Sequence, residues 1–145
     1  GKVLDFGCGA GTFIKHIQRR GMETTGFDIN PFSEFCSVEA LFDKFDGVTF
    51  WDSIEHINNP VPLLRGLDTK WVFICAPNTE NFRDHDLTGW KHYKPGEHIH
   101  YFNEESLRKL LSVAGYSVEE VNYDESFFRK DGDKNIVSIV GRKIG

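Results

Sequence analysis

No apolar run in this sequence approaches the roughly 20 residues that a helix needs to cross a bilayer, and no basic and apolar leader stands at its amino terminus. A membrane span is therefore not expected. Cysteine is sparse: Cys8, Cys36 and Cys75 are odd in number and widely spaced, which argues against a disulfide framework and fits a reducing compartment, the cytoplasm. Positive charge is in deficit, with 17 Lys and Arg against 22 Asp and Glu and a net charge of -5. Binding to phosphate backbones draws its energy from Lys and Arg displacing counterions, so a nucleic-acid partner is not expected and a small or neutral substrate is.

What is present is the material of one globular domain spanning residues 1 to 145, with 39% hydrophobic and 27% charged residues and 13 phenylalanines. Residues 2 to 6 form an apolar run ended by glycine, residues 12 to 20 carry Phe13, Ile14 and Ile17 on one helical face, and residues 23 to 28 read as a second strand. Strand, helix and strand at this spacing make one right-handed crossover unit of a parallel sheet. Residues 31 to 45 have neither a helical period nor a clean alternation, and a short strand is expected over 35 to 40. Further strands are expected over 46 to 51 and 71 to 76, with a helix from Pro60 to Leu67 between them. Asn103 caps a helix whose buried stripe is Leu107, Leu110, Leu111 and Val113 and whose stop is Gly115. Two closing strands, 116 to 123 and 135 to 143, should pair antiparallel across a charged turn at 129 to 134. The fold class is α/β: three layers, Rossmann-like, with a mostly parallel sheet of six or seven strands and an antiparallel last strand.

The chain is organised around VLDFGCGAG at 3 to 11 and GFDIN at 26 to 30. A strand, a glycine turn and a helix opening on a ligand is a nucleotide-site geometry. The dinucleotide fingerprint wants its third glycine at the position of Thr12, and Gly11 comes one residue too early, which weakens an NAD reading. A phosphate-binding Walker loop would need Lys and then Ser or Thr after the last glycine, where Thr12 and Phe13 stand. What does fit is an acid, Asp5, two residues before Gly7, Gly9 and Gly11, with a second acid, Asp28, at the end of the next strand.

That pattern resembles the class I S-adenosylmethionine-dependent methyltransferases. The resemblance extends through FDGVTFWDSIEH at 45 to 56 and GEHIHYFNEESLRKLLSVAGY at 96 to 116, both similar to the branch of ubiquinone-biosynthesis O-methyltransferases and the methyltransferase type 11, 12 and 23 domains. It implies S-adenosylmethionine as cofactor, with S-adenosylhomocysteine as product. Asp28 would accept hydrogen bonds from both ribose hydroxyls, and Gly7, Cys8 and Gly9 would bring bare backbone against the methionine part. Asp5 would help hold the ammonium, Ile29 would pack on the adenosine, Glu39 is a candidate for the adenine amino group, and Trp51 and Asp52 would line the methionine end. His56, His98 and His100 are the candidate bases for an acceptor hydroxyl, and methyl transfer otherwise asks mainly for alignment.

Each assignment has a plainer rival. Asp5 can cap the following helix, Asp28 can end a strand in a turn with Asn30 and Pro31, and His56 can bond a backbone carbonyl. His98 and His100 share a face if their segment is extended, and with His92 and His85 nearby a metal site is an alternative. No pair of closely spaced cysteines or ligand motif accompanies them, so no metal is expected. Residues 77 to 101, too long and polar for a plain connection, should form a functional loop around the acceptor; Trp90, Tyr93 and Tyr101 can equally make a small satellite core.

Two departures from the family accompany the resemblance: the helices it usually carries before the first strand are missing, and residues 31 to 45 are too few for a full helix and strand. The adenine side should be open, and the acceptor pocket should be completed by residues 77 to 101, by a second copy in a homodimer, or by upstream residues. The expected function is methyl transfer to a small-molecule acceptor, with oxygen favoured over nitrogen. Its rivals are an inactive or regulatory cofactor-binding module and, third, an RNA or protein methyltransferase.

Overall fold

The computed structural model describes residues 1 to 30, 34 to 82 and 87 to 145. Pro31 and His85, which entered the reading of the second strand's end and of the metal alternative, lie outside them. Six strands form one sheet: β1 (Lys2–Phe6), β2 (Glu23–Phe27), β3 (Lys44–Trp51), β4 (Asp68–Pro77), β5 (Tyr116–Asn122) and β6 (Ile136–Lys143). They lie in the order β2-β1-β3-β4-β6-β5, parallel except for β6, which runs antiparallel to both β4 and β5. The expected mostly parallel sheet with an antiparallel last strand is what forms, with the lower of the two strand counts.

Four α-helices connect the strands: α1 (Thr12–Gln18), α2 (Pro60–Gly66), α3 (Glu104–Val113) and α4 (Asp124–Phe128). Paired residues of neighbouring strands share a sheet face, which locates the layers. Asp5 pairs with Gly26, and a methyl group on Gly26 would meet Ile14 of α1 at 2.7 Å, so α1 lies on the Asp5 face. Leu4, Val48, Val72 and Gly141 are in register on the other face, where a methyl on Gly141 would touch Leu111 of α3 at 3.0 Å. Three layers result. The main core sits on this second face, where Leu4, Val48, Phe50, Val72 and Ile74 meet Leu64 of α2 and Leu107 and Leu111 of α3.

Three local expectations are corrected. Residues 35 to 40 make only a single bridge, Gly26 to Cys36, and then a 3-10 turn at Glu39–Phe42. Pairing stops there because the chain coils into that turn, and the Ser37 hydroxyl donates to the Glu39 carboxylate at 3.0 Å as it enters. Val113 is 47% exposed, because it ends α3 on the outer side, and Ala114 is the buried residue there. The connection between β5 and β6 contains α4 ahead of the charged turn, held by buried Ser126, whose Oγ accepts from the Ile136 amide at 2.7 Å and donates to its carbonyl at 3.0 Å.

The start of α3 follows the sequence closely. The Asn103 side chain accepts from the Ser106 amide at 2.8 Å, and the Ser106 hydroxyl accepts from the Asn103 amide at 2.9 Å. Both orphan donors are satisfied reciprocally, a capping box. Asn103→Ala should therefore lower stability by about 1 kcal/mol, read as a shift in the midpoint of urea unfolding with an unchanged slope.

Candidate active site

The glycine loop after β1 is bound to the end of β2 at its start and to its own helix at its end, where the Gly11 carbonyl accepts from the Lys15 amide at 3.0 Å. The amides of Gly7 and Cys8 both donate to the Phe27 carbonyl, at 2.7 and 3.0 Å, and the Gly9 amide donates to Oδ2 of Asp28 at 2.8 Å. Oδ1 of Asp28 accepts from the Asn30 amide at 2.9 Å. The Asp28 carboxylate is thus fixed by two backbone donors, each oxygen keeping a second lone pair. Gly7 has φ 82° and a methyl group there would lie 2.6 Å from Cβ of Ser53, so glycine is required where β1 and β3 end side by side. A methyl on Gly9 would meet nothing within 4 Å, so its outer side is open.

Two adjoining cavities lie at the carboxyl ends of the strands and share Phe27, Asp28 and Ile29. One, of about 530 Å³, reaches Phe6, Gly7, Asp52, Ser53, His56 and Glu97. The other, of about 470 Å³, is closed by Cys36, Ser37, Val38 and Leu41. Ligand cavities commonly hold about 300 to 1,000 Å³, so each is of ligand size. Asp28 stands where they join, and Ile29 is 84% exposed between them.

Of the residues read from the sequence, Gly7, Asp28, Ile29, Asp52 and His56 line this cleft. Asp5 is buried beneath it, its Oδ1 accepting from the Thr49 hydroxyl at 2.8 Å. Burial, opposed by that hydrogen bond and reinforced by the Asp28 charge, pushes the Asp5 carboxyl up to about 6. Cys8 is buried with its sulfur 3.0 Å from that of Cys36, which carries residues 34 to 41 against the loop. Glu39 lies on the exposed side of its 3-10 turn and does not line the cleft. Trp51 packs on Phe13, ring centroids 5.2 Å apart, and lines a separate cavity of about 290 Å³ with Phe73, Cys75 and Phe128 on the α1 face. Its place in β3 turns it to the sheet face opposite Phe50.

Asp52 turns the chain at the end of β3 with φ 51°, a conformation Asp tolerates better than most residues and one enriched at functional sites. One of its carboxylate oxygens is paired with Arg129; the other, Oδ1, is buried with no hydrogen-bond partner among the described residues. Behind it lies a second acid, Glu55, in the 3-10 turn Ile54–His56. Burial pushes Glu55 up to about 7, with the Asp52 charge adding to the effect.

The histidines separate. His56 bonds through Nδ1 to the Glu97 carbonyl at 2.6 Å, and His98 through Nδ1 to the His92 carbonyl at 2.8 Å. Their rings meet edge to face, centroids 4.8 Å apart. Burial, then the proximity of His56, hold His98 below the usual histidine range. His100 points elsewhere, its Nε2 on the carbonyls of Ile57 and Asn58 at 2.8 and 3.3 Å, so it ties the 77 to 101 segment to the 3-10 turn instead of facing the cleft. Among the described residues of that segment a small satellite cluster forms: Trp90 stacks on Phe82 at 5.0 Å, and His92 and Lys91 both grip buried Asp131 at 2.7 Å. Among those residues Glu97 lines the cleft.

Residues 1–121 match the family model described as a methyltransferase domain. The chain belongs to that family. This methyltransferase domain is 30% identical over 103 aligned residues to a ubiquinone biosynthesis O-methyltransferase of Chromobacterium violaceum, covering 53% of this chain and 44% of the relative. It thus spans less than half the length of the curated relatives it matches. A structure of a SAM-dependent methyltransferase from Archaeoglobus fulgidus superposes with a TM-score of 0.69 at 20% identity, covering 98% of this chain and 86% of that one. A Burkholderia thailandensis 1,6-didemethyltoxoflavin-N1-methyltransferase, solved with S-adenosylhomocysteine, superposes with a TM-score of 0.71 at 17% identity over 99% and 71% of the two chains. The cofactor of the family is S-adenosylmethionine.

Ser53, Asn30, Phe27 and Glu55 were not singled out as site residues from the sequence. The available signal was position: the first three flank strand ends in a parallel sheet, where ligands bind. Glu55 was visible only as half of the Glu-His pair.

Proposed function

We propose that this domain binds S-adenosylmethionine across the two joined cavities and transfers its methyl group to a small-molecule acceptor, preferentially at oxygen. The observation that carries the reading is Asp28, an acid at the junction of the cavities whose two oxygens are fixed by backbone amides with lone pairs to spare. Those lone pairs suit the two hydroxyls of a ribose. Ile29, Val38 and Leu41 offer apolar cover for a base in the smaller cavity, the open side of Gly9 lets a chain pass close to the backbone, and the unpartnered oxygen of Asp52 suits an ammonium group. The bound cofactor supplies an already activated methyl group, so the protein's contribution is placement.

An oxygen acceptor must also lose a proton. His56 faces the larger cavity with Nε2 uncommitted, because its Nδ1 is bonded to the Glu97 carbonyl. The name of the Chromobacterium relative favours oxygen as well. Titration calorimetry should give heats of binding with S-adenosylmethionine and none with NAD; the reverse would sink the reading. Incubation with labelled cofactor and matched panels of phenols and amines should label the phenols. Cofactor binding without labelling of either panel would instead favour an inactive or regulatory module.

A further inference from the structure

At the wall of the cleft three side chains bring ligand atoms close together: Glu55 and His98 are buried, and His56 is exposed. Glu55 is 1% exposed, and neither of its carboxylate oxygens has a hydrogen-bond partner among the described residues. His56 and His98 each spend Nδ1 on a backbone carbonyl. A carbonyl only accepts, so Nδ1 carries the hydrogen in both rings and Nε2 is left as a bare lone pair. His56 Nε2 stands 3.8 Å from Oε1 of Glu55, and one candidate ligand atom from each of the three residues lies within 4.8 Å of the other two.

A buried carboxylate with no hydrogen-bond partner is left uncompensated unless it keeps its proton or something positive lies beside it. A shared proton does not serve at 3.8 Å, which is beyond hydrogen-bond range. A cation does. Ligands at about 2.0 to 2.2 Å from a tetrahedral ion lie roughly 3.4 Å apart, so a small closing movement of the three side chains would bring them into a coordination shell. Two imidazoles and one carboxylate are the donors that zinc and its neighbours prefer, whereas magnesium and calcium take oxygen. The Nδ1–H bonds to the carbonyls of Glu97 and His92 already supply the outer contacts that set the tautomer and orientation of metal-bound histidines.

We propose that Glu55, His56 and His98 bind one divalent transition-metal ion of the zinc type through two Nε2 atoms and a carboxylate, with the remaining position open to the cleft. His56 lines the larger cavity, so the open position faces the acceptor. The ion's role rests on the methyl-transfer reading; its binding does not. Held by Glu55, His56 and His98, such an ion would supply Lewis acidity that lowers the pKa of an acceptor hydroxyl, whose proton would pass to water instead of to His56.

The test uses the full chain stripped with chelator and titrated with Co²⁺, whose visible absorption reports its coordination, and with Zn²⁺ by calorimetry. One equivalent should bind with the absorption of a low-coordinate nitrogen and oxygen site. Glu55→Gln and His98→Asn should each weaken binding at least about tenfold. S-adenosylmethionine affinity and circular dichroism report whether each variant is folded. Co²⁺ binding no tighter in wild type than in folded Glu55→Gln overturns the proposal. If the metal binds as expected and S-adenosylmethionine does not, the methyl-transfer reading fails and the metal site stands.

Discussion

Asp28→Ala is expected to weaken S-adenosylmethionine binding by about 100-fold or more. A hydrogen bond to a charged group contributes about 1.5 to 3 kcal/mol, and the proposed site gives Asp28 two of them, one to each ribose hydroxyl. Their loss is thus at least about 3 kcal/mol, and each 1.4 kcal/mol is tenfold. The same substitution frees the amides of Gly9 and Asn30, so the glycine loop loses its fixed relation to β2 and the estimate is a lower bound. Asp28→Asn separates the two contributions. Its single acceptor oxygen can keep one backbone bond and one hydroxyl, while its amide nitrogen faces another donor, and the expected loss is about tenfold. Titration calorimetry measures both variants, with thermal unfolding checking the loop's contribution to stability. An affinity for the cofactor that survives in Asp28→Ala would remove this carboxylate from the site.

The parallel strands and the placing of Asp28 beside the glycine turn were legible in the sequence because there a residue's neighbours in the chain decide its environment. Residues 71 to 76 are an apolar run since β4 is covered on both faces at its inner end, and Asp28 follows directly on a strand whose end the glycine turn must meet. The arrangement of the histidines was not legible for the converse reason. Simple alternation puts His98 and His100 on one side, yet the amides of Ile99 and His100 both donate to the Glu55 carbonyl, and the chain turns there. His98 consequently meets Glu55 and His56, residues far from it in sequence, while His100 turns to Ile57. The polar length of residues 77 to 101 signalled a functional loop, but Trp90 is taken up in stacking on Phe82 within the segment, and Lys91 and His92 in docking it on Asp131. No local pattern distinguishes such docking from ligand binding.

Asp5→Asn should make the domain more stable at neutral pH and a poorer binder. The Asp5 carboxyl is raised from 3.8 to about 6 by burial, so the folded protein holds its proton more tightly than the unfolded chain. Below pH 3.8 both states are protonated and the group costs nothing. As pH rises from there to about 6 the unfolded chain ionises first and stability falls; above 6 both are ionised and the deficit stays constant. Each pH unit corresponds to 1.36 kcal/mol, so the deficit is about 3 kcal/mol. Asparagine removes it and still accepts from Thr49, and urea unfolding should show wild type and variant equally stable near pH 3.5 and the variant about 3 kcal/mol more stable at pH 8. Equal stability at both would mean that Asp5 ionises freely in its buried position. The wild-type residue is then retained at a cost, and in the proposed reading the cofactor's ammonium group, bound in the cleft above Asp5, would favour the ionised form. Cofactor affinity should accordingly rise in the wild type as pH passes through 6, and rise less in Asp5→Asn, which offers no charge to release.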